Sequence, residues 1–128
     1  MRLHTFVIYF AAAFFIFYGL AFSLFPADMG LLVTEVAPQN ISAMVDFRAT
    51  YGGMTIAIGI AFIYLHAIKQ FHASLAIISF VLILMAVTRA MGLVLDGQGN
   101  SIMYVYLVLE VLGSGVAIAA MQGARRDN

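Results

Sequence analysis

Apolar residues fill four long stretches of this chain, and shorter segments richer in polar residues separate them. The stretches run from about Thr5 to Phe25, Asp46 to Ala67, Ala73 to Leu95 and Ile102 to Met121. A helix needs about 20 apolar residues to cross a hydrocarbon core of roughly 30 Å, so each stretch is long enough to span a membrane. The pattern predicts a single all-α domain over residues 1–128, a polytopic membrane protein with an antiparallel bundle of four transmembrane helices.

The first stretch resembles a secretory signal only superficially. Its uninterrupted apolar length exceeds the 7–15 residues of a signal core, so we interpret it as a retained span that stops at Pro26. Its many phenylalanines point in nearly every direction around a helix, which predicts a helix that faces mostly lipid. The connector "DGQGN" has two glycines and an aspartate, as a tight turn between antiparallel helices requires.

The composition agrees with lipid as the solvent. The chain is 64% hydrophobic and 9% charged, with a mean hydropathy of +1.04, whereas soluble domains are nearer half apolar and a quarter charged. A net charge of zero gives no electrostatic footprint for nucleic-acid binding. The absence of cysteine excludes disulfides, thiolate metal sites and cysteine nucleophiles. We predict no metal and no cofactor.

Basic residues predict the orientation. Those that flank the spans on one side are Arg2, Lys69, Arg125 and Arg126. The connectors on the other side carry Asp28, Glu35 and Asp96 and no basic residue. Since lysine and arginine stay on the cytoplasmic side, this asymmetry predicts a multi-pass protein of the bacterial cytoplasmic (inner) membrane with both termini in the cytoplasm.

Rows of small residues indicate how the spans pack, because close backbone approach stabilises helix pairs in lipid. The second span has the row Gly53, Ala57 and Ala61, with Gly52 and Gly59 on a neighbouring row. The fourth span has the row Gly115, Ala119 and Gly123, with Gly113 and Ala117 beside it. These rows predict contact between the second and fourth spans, and they could equally form the face of a homodimer.

Four charged residues lie at or inside the spans: Asp46, Arg48, Arg89 and Glu110. At 1.5 Å rise per residue, Arg89 is roughly 9 Å and Glu110 roughly 12 Å from the outer ends of their helices. An unpaired charge at the membrane centre costs at least about 2.5–3.5 kcal/mol. Arg89 and Glu110 are at similar depths on consecutive antiparallel helices, so we predict that they form an ion pair.

Glycines beside these charges leave room for a partner helix, a water or a ligand head group. One interpretation is a structural salt-bridge cluster that fixes the register of the helices. Another is a polar pocket, opening outward, that receives a ligand or relays a proton. A third is a docking surface for another membrane subunit.

The histidines form no metal-binding motif. His4 and His66 could face each other across the first two spans, as a haem or metal pair would require. Without a third ligand or a spacing motif, we interpret them as residues of the membrane interface.

Three motifs together are similar to a family of small bacterial membrane proteins, domain of unknown function 4345. They are "FRATYGGM" from Phe47 to Met54, "RAMGLVLDG" from Arg89 to Gly97, and Glu110 in the fourth span. The resemblance covers nearly the whole chain and implies a four-helix inner-membrane protein without an established activity. The positions that the family pattern singles out are Arg48, Tyr51, Gly52, Gly53, Arg89, Gly92, Asp96, Gly97 and Glu110.

The working hypothesis is that this protein binds a small amphipathic or lipid-like ligand, with membrane lipids as its first partners. The predicted ligand-binding residues are Asp46, Arg48, Tyr51, Gly52, Arg89 and Glu110. The alternative is an accessory or structural subunit that associates with itself or with another membrane protein. An enzyme that uses Glu110 as acid or base ranks behind both, because a lone carboxylate lacks a nucleophile or metal partner.

Overall fold

Helices account for nearly all of residues 2–126, the part of the chain that this computed structural model describes. They are α1 (Leu3–Leu24), α2 (Pro26–Thr34), α3 (Ile41–Asp46), α4 (Thr55–Ala67), α5 (Phe71–Leu95) and α6 (Ser101–Arg126). A π-helical segment, Phe47–Met54, joins α3 to α4 without a break. No strand occurs within residues 2–126, and the prediction of an all-α fold is confirmed.

Four continuous helical stretches are long and apolar enough to cross a membrane. They are Leu3–Leu24, Ile41–Ala67, Phe71–Leu95 and Ser101–Ala124. Each overlaps one of the four spans expected from the sequence. The side chains of Arg125 and Arg126, which contributed to the predicted orientation, lie outside the described side chains.

Proline and left-handed residues set the ends of the first two helices. Phe25 precedes a proline and leaves the helical region (φ −127°, ψ 56°), so α1 stops at Leu24. Pro26 then begins α2, where its missing N–H is no loss, and Glu35 ends α2 in the left-handed conformation (φ 62°). From the sequence this segment is predicted as a connector without a helix, and α2 corrects that prediction.

Asparagine side chains cap the N-terminal ends of α3 and α6. Asn40 Oδ1 accepts a hydrogen bond from the Ala43 amide at 2.9 Å, and Asn100 Oδ1 accepts one from the Met103 amide at 3.1 Å. Between α5 and α6, Gly97 has a φ of +106°, which a residue with a Cβ rarely adopts. The predicted tight turn is therefore built on this glycine.

The chain forms two compact units. One comprises the residues up to Tyr9 together with those from Phe62 onward, and the other comprises Phe10–Ala61. We refer to them as the hairpin unit, which contains α5 and α6, and the π unit, which contains the π-helical segment. The description of the whole chain as one transmembrane domain stays a prediction.

The hairpin unit has a core of aliphatic and aromatic side chains. Ile8, Phe62, Leu75 and Ile78 are fully or almost fully buried, and so are Ala117 and Ala120 of α6. Buried Ser74 donates from its Oγ to the Phe62 carbonyl at 3.2 Å. That hydrogen bond satisfies the hydroxyl group where water is absent.

In the π unit, glycines hold α1 against the second long helix. A Cβ added to Gly19 would lie 2.7 Å from the Gly52 carbonyl oxygen, and one added to Gly59 would lie 2.8 Å from the Ala12 carbonyl oxygen. These distances are too short for real side chains, so each position requires glycine. The row that packs is therefore Gly52 and Gly59, the neighbour of the row that the sequence favoured.

The favoured rows themselves are exposed. Gly53, Ala57 and Ala61 in the second span, and Gly115, Ala119 and Gly123 in the fourth, all have exposed surfaces. A Cβ added to Gly115 or Gly123 would meet nothing within 4 Å. That these rows form a contact between the second and fourth spans, or the face of a homodimer, stays a prediction.

α1 contributes more to the core than its phenylalanines suggested. Of its span, 33% is buried, against 17% in each of the other three. Ile8, Ala12, Phe15 and Phe22 form the buried side, and the exposed phenylalanines occupy the rest of the circumference. Most of the α1 surface is exposed, yet α1 has the largest buried share of the four spans.

Candidate functional site

Arg89 of α5 and Glu110 of α6 form a two-pronged ion pair in the hairpin unit. Arg89 Nε donates to both carboxylate oxygens at 3.0 and 3.1 Å, and Nη2 donates to Oε1 at 2.6 Å. The side chains are 18% and 6% exposed, respectively. Charge-assisted hydrogen bonds of this fork geometry are about twice as strong as neutral ones. The pairing predicted from insertion cost and depth is confirmed.

Two further side chains of α6 hold the same guanidinium. Arg89 Nη1 donates to the Met103 sulfur at 3.2 Å, and its Cζ lies 5.2 Å from the centre of the Tyr106 ring, within reach of a cation–π interaction. Met103, Tyr106 and Glu110 share one face of α6 because their spacing is i, i+3 and i+7. The sequence reasoning missed Met103 and Tyr106, although that spacing from Glu110 was visible.

A groove of about 360 Å³ opens beside Arg89, at the connector between α5 and α6. We call it the connector groove, and it is lined by Arg89, Gly92, Leu93, Asp96, Gly97, Gln98, Gly99 and Met103. Five of these residues belong to the quoted motif "RAMGLVLDG": Arg89, Gly92, Leu93, Asp96 and Gly97. Of the six predicted ligand-binding residues, Arg89 lines the groove and Glu110 holds Arg89 in place.

Glycines shape the groove by keeping side chains out of it. A Cβ on Gly92 would lie 3.6 Å from Asp96 Oδ2, which shows that the Asp96 carboxylate turns back along α5 towards Gly92. A Cβ on Gly99 would lie only 3.0 Å from the Met103 side chain. The polar side chains among the lining residues are one guanidinium, one carboxylate and the Gln98 amide, and three of the other lining residues are glycines.

The other predicted site residues lie in the π unit and make different contacts. Arg48 Nη1 donates a hydrogen bond to the Ser23 carbonyl, one of the last carbonyls of α1. Asp46 Oδ1 accepts a hydrogen bond from Thr50 Oγ1 at 3.1 Å. The last four carbonyls of a helix lack partners inside it, so Arg48 acts as a side-chain cap for α1.

Gly52 and Tyr51 of the π-helical segment pack against α1. Gly52 is buried, and a Cβ there would collide with the Ser23 hydroxyl. The Tyr51 ring stacks on Phe22, with centroids 5.2 Å apart and planes at 28°. The space that Gly52 provides is filled by α1. That Asp46, Arg48, Tyr51 and Gly52 bind a ligand stays a prediction.

The π-helical segment coincides with the whole of "FRATYGGM". π-helical turns are rare and occur frequently at functional sites. Here the motif carries Phe47, which packs against α2 where a Cβ on Gly30 would come within 2.9 Å of its ring. Within this motif, Arg48 caps α1, Gly52 packs against α1 and the Phe47 ring packs against α2.

Histidines of the hairpin unit gather around an aromatic ring. The rings of His4 and His66 lie 5.1 and 5.0 Å from that of Phe71, and the Tyr9 hydroxyl is 3.3 Å from His66 Nδ1. Within residues 2–126 no group of three His, Asp or Glu side chains is placed to hold a metal ion. Phe71 packs against both imidazoles.

Because it has four helices that are long and apolar enough to cross a membrane, the chain is a multi-pass membrane protein. It belongs to the family described as Domain of unknown function (DUF4345), which it matches over residues 3–121. No curated protein and no solved structure matches the chain. The family suggested by the motifs is thereby confirmed.

Proposed function

We propose that this protein binds an amphipathic, lipid-like ligand in the connector groove, with Arg89 donating hydrogen bonds to an anionic group of the ligand's head. The observation that carries the proposal is that two nitrogens of the guanidinium have acceptors of different strength. One edge is fixed by the Glu110 carboxylate, while Nη1 is bonded to the thioether of Met103, which like Arg89 lines the groove. A thioether is a weak acceptor, so a phosphate or carboxylate oxygen would replace it with a gain in hydrogen-bond energy.

The surroundings of the groove favour a ligand with an apolar tail. Met91, Val94 and Leu95, near the end of α5, are exposed by 55%, 82% and 72%. In a membrane these side chains face hydrocarbon, while the five connector residues after Leu95 are polar or glycine. A ligand whose head occupies the groove could therefore lay its tail along α5.

The membrane in this proposal is the cytoplasmic membrane of a bacterium, with both termini inside and the connector groove outside. Exposed Arg2 and Lys69 support this orientation. The chain has no cysteine, so single-cysteine variants report the topology directly. An impermeant maleimide added to intact spheroplasts should label Gln39→Cys and spare Gln70→Cys. The reverse labelling would refute the orientation.

The binding proposal is tested with the neutral double variant Arg89→Met/Glu110→Gln, which removes the donor without leaving a lone charge. Protein purified in mild detergent is titrated with a mixture of phosphatidylethanolamine and phosphatidylglycerol, and native mass spectrometry counts bound lipids. Hydrogen bonds to charged groups contribute about 1.5–3 kcal/mol, so we expect the affinity to fall about 10- to 100-fold. Arg2→Met is the matched control. Equal lipid binding by the double variant and the native chain would refute the proposal.

A second candidate function is that of a self-associating or accessory subunit, favoured by the exposed small-residue rows. Because a Cβ on Gly115 meets nothing within 4 Å, Gly115→Leu should not disturb the chain itself. If the row forms an interface, this variant should convert an oligomer in native mass spectra to a monomer. A native chain that is monomeric in mild detergent would count against this function.

A further inference from the structure

The charges of the connector groove specify more than an anionic ligand, and the following inference rests on the proposed function. The groove and its support contain one guanidinium, Arg89, and two carboxylates, Asp96 and Glu110. Glu110 is already used by Arg89. A ligand that carried only negative charge would meet Asp96 without compensation, and like charges at close range disfavour binding.

Asp96 is placed to receive a positive group. Within the described residues its carboxylate has no hydrogen bond and no ion pair, and it is exposed at the groove. Its Oδ2 lies over Gly92, one helical turn back from Asp96 along α5 in the direction of Arg89. The Cα atoms of Arg89 and Asp96 are two turns apart, about 11 Å along the helix, and both residues line the same groove.

The lining of the groove distinguishes between kinds of positive group. A quaternary ammonium has no N–H and is recognised by aromatic rings. No aromatic residue lines the connector groove within residues 2–126. A primary ammonium has three N–H donors, which suit a carboxylate and the side-chain oxygen of Gln98.

We infer that the ligand of the connector groove is a zwitterionic phospholipid with a primary amine, whose phosphate binds Arg89 and whose ammonium binds Asp96. Arg89 then supplies affinity for any phospholipid, and Asp96 supplies the choice among head groups. Exposed ion pairs contribute at most about 1 kcal/mol, so the expected preference is roughly two- to fivefold.

The test compares phosphatidylethanolamine, phosphatidylcholine and phosphatidylglycerol with identical acyl chains, each titrated against the purified protein by native mass spectrometry. We expect phosphatidylethanolamine to bind roughly two- to fivefold more tightly than the other two. Asp96→Asn should abolish this preference and raise the affinity for phosphatidylglycerol, while Asp96→Glu should keep the preference. Asp28→Asn is the matched control, because Asp28 is exposed and lies in α2, away from the residues that line the groove.

The outcomes separate this inference from the proposal beneath it. If the three lipids bind alike and all depend on Arg89, the proposed function stands and the choice of head group is refuted. If none of them binds, both fail. If glycerophosphoethanolamine, which has no acyl chains, competes as well as the intact lipid, the ligand is a soluble phosphate ester and the lipid assignment is refuted.

Discussion

Arg89 and Arg48 both carry a positive charge at or inside a membrane-length helix, and they have different partners. Arg89 in the hairpin unit is mostly buried and is paired with a carboxylate, whereas Arg48 in the π unit is exposed and bonded to a backbone carbonyl. Both lie within residues 3–121, which match the family. The difference shows that a charged residue in a span can be partnered either by an opposite charge or by a helix end. Arg48 completes a helix end, and Arg89 is held rigid beside an open groove.

The largest expected effect comes from removing Arg89 alone. Arg89→Met leaves the Glu110 carboxylate, 6% exposed, without its partner. Breaking one side of a buried pair costs about 3–5 kcal/mol, so we expect the free energy of unfolding in mixed micelles to fall by about that amount. The double variant Arg89→Met/Glu110→Gln should recover most of the loss. If the single and double variants are equally stable, Glu110 does not depend on Arg89.

This pair was also the part of the site that the sequence could predict. An unpaired charge is costly to insert, and the rise per residue with a five-residue connector gives its depth. Together these predict that Arg89 and Glu110 lie at similar depths on neighbouring helices and form a pair. The connector groove could not be predicted in the same way, because it depends on the direction in which the Asp96 carboxylate turns and on Gly97 at positive φ. Neither follows from hydropathy.

The packing contacts were less accessible from the sequence for a different reason. The second span contains two adjacent rows of small residues, and period alone does not say which row faces a neighbour. The π-helical segment adds to the difficulty, because an i→i+5 turn rotates the residues after it relative to an α-helical count. The structure selects Gly52 and Gly59. α2 was not predicted because the prediction used stretches of membrane-spanning length, and its nine residues are too few to span a membrane.

A second test sharpens the comparison within the π unit, where Gly52 and Gly53 are adjacent. A Cβ on Gly52 would collide with the Ser23 hydroxyl and come within 3.1–3.2 Å of its backbone, while one on Gly53 would have no neighbour nearer than 3.8 Å. We expect Gly52→Ala to lower the free energy of unfolding by about 1–3 kcal/mol, the usual cost of overpacking. Gly53→Ala should leave it unchanged or raise it slightly, because alanine favours helix. Equal effects at the two positions would mean that α1 does not pack on this row.

The smallest effect completes the comparison of the arginines. Arg48→Met removes the donor to the Ser23 carbonyl but leaves no buried charge behind, since Arg48 is exposed and Asp46 has Thr50 as its hydrogen-bond donor. The loss should be about 1 kcal/mol, the net contribution of one hydrogen bond, measured by the same unfolding assay. Arg48→Lys should recover part of it, because an ammonium can also donate to a carbonyl. A loss as large as that of Arg89→Met would show instead that Arg48 balances a buried acid, and the two arginines would then serve the same role.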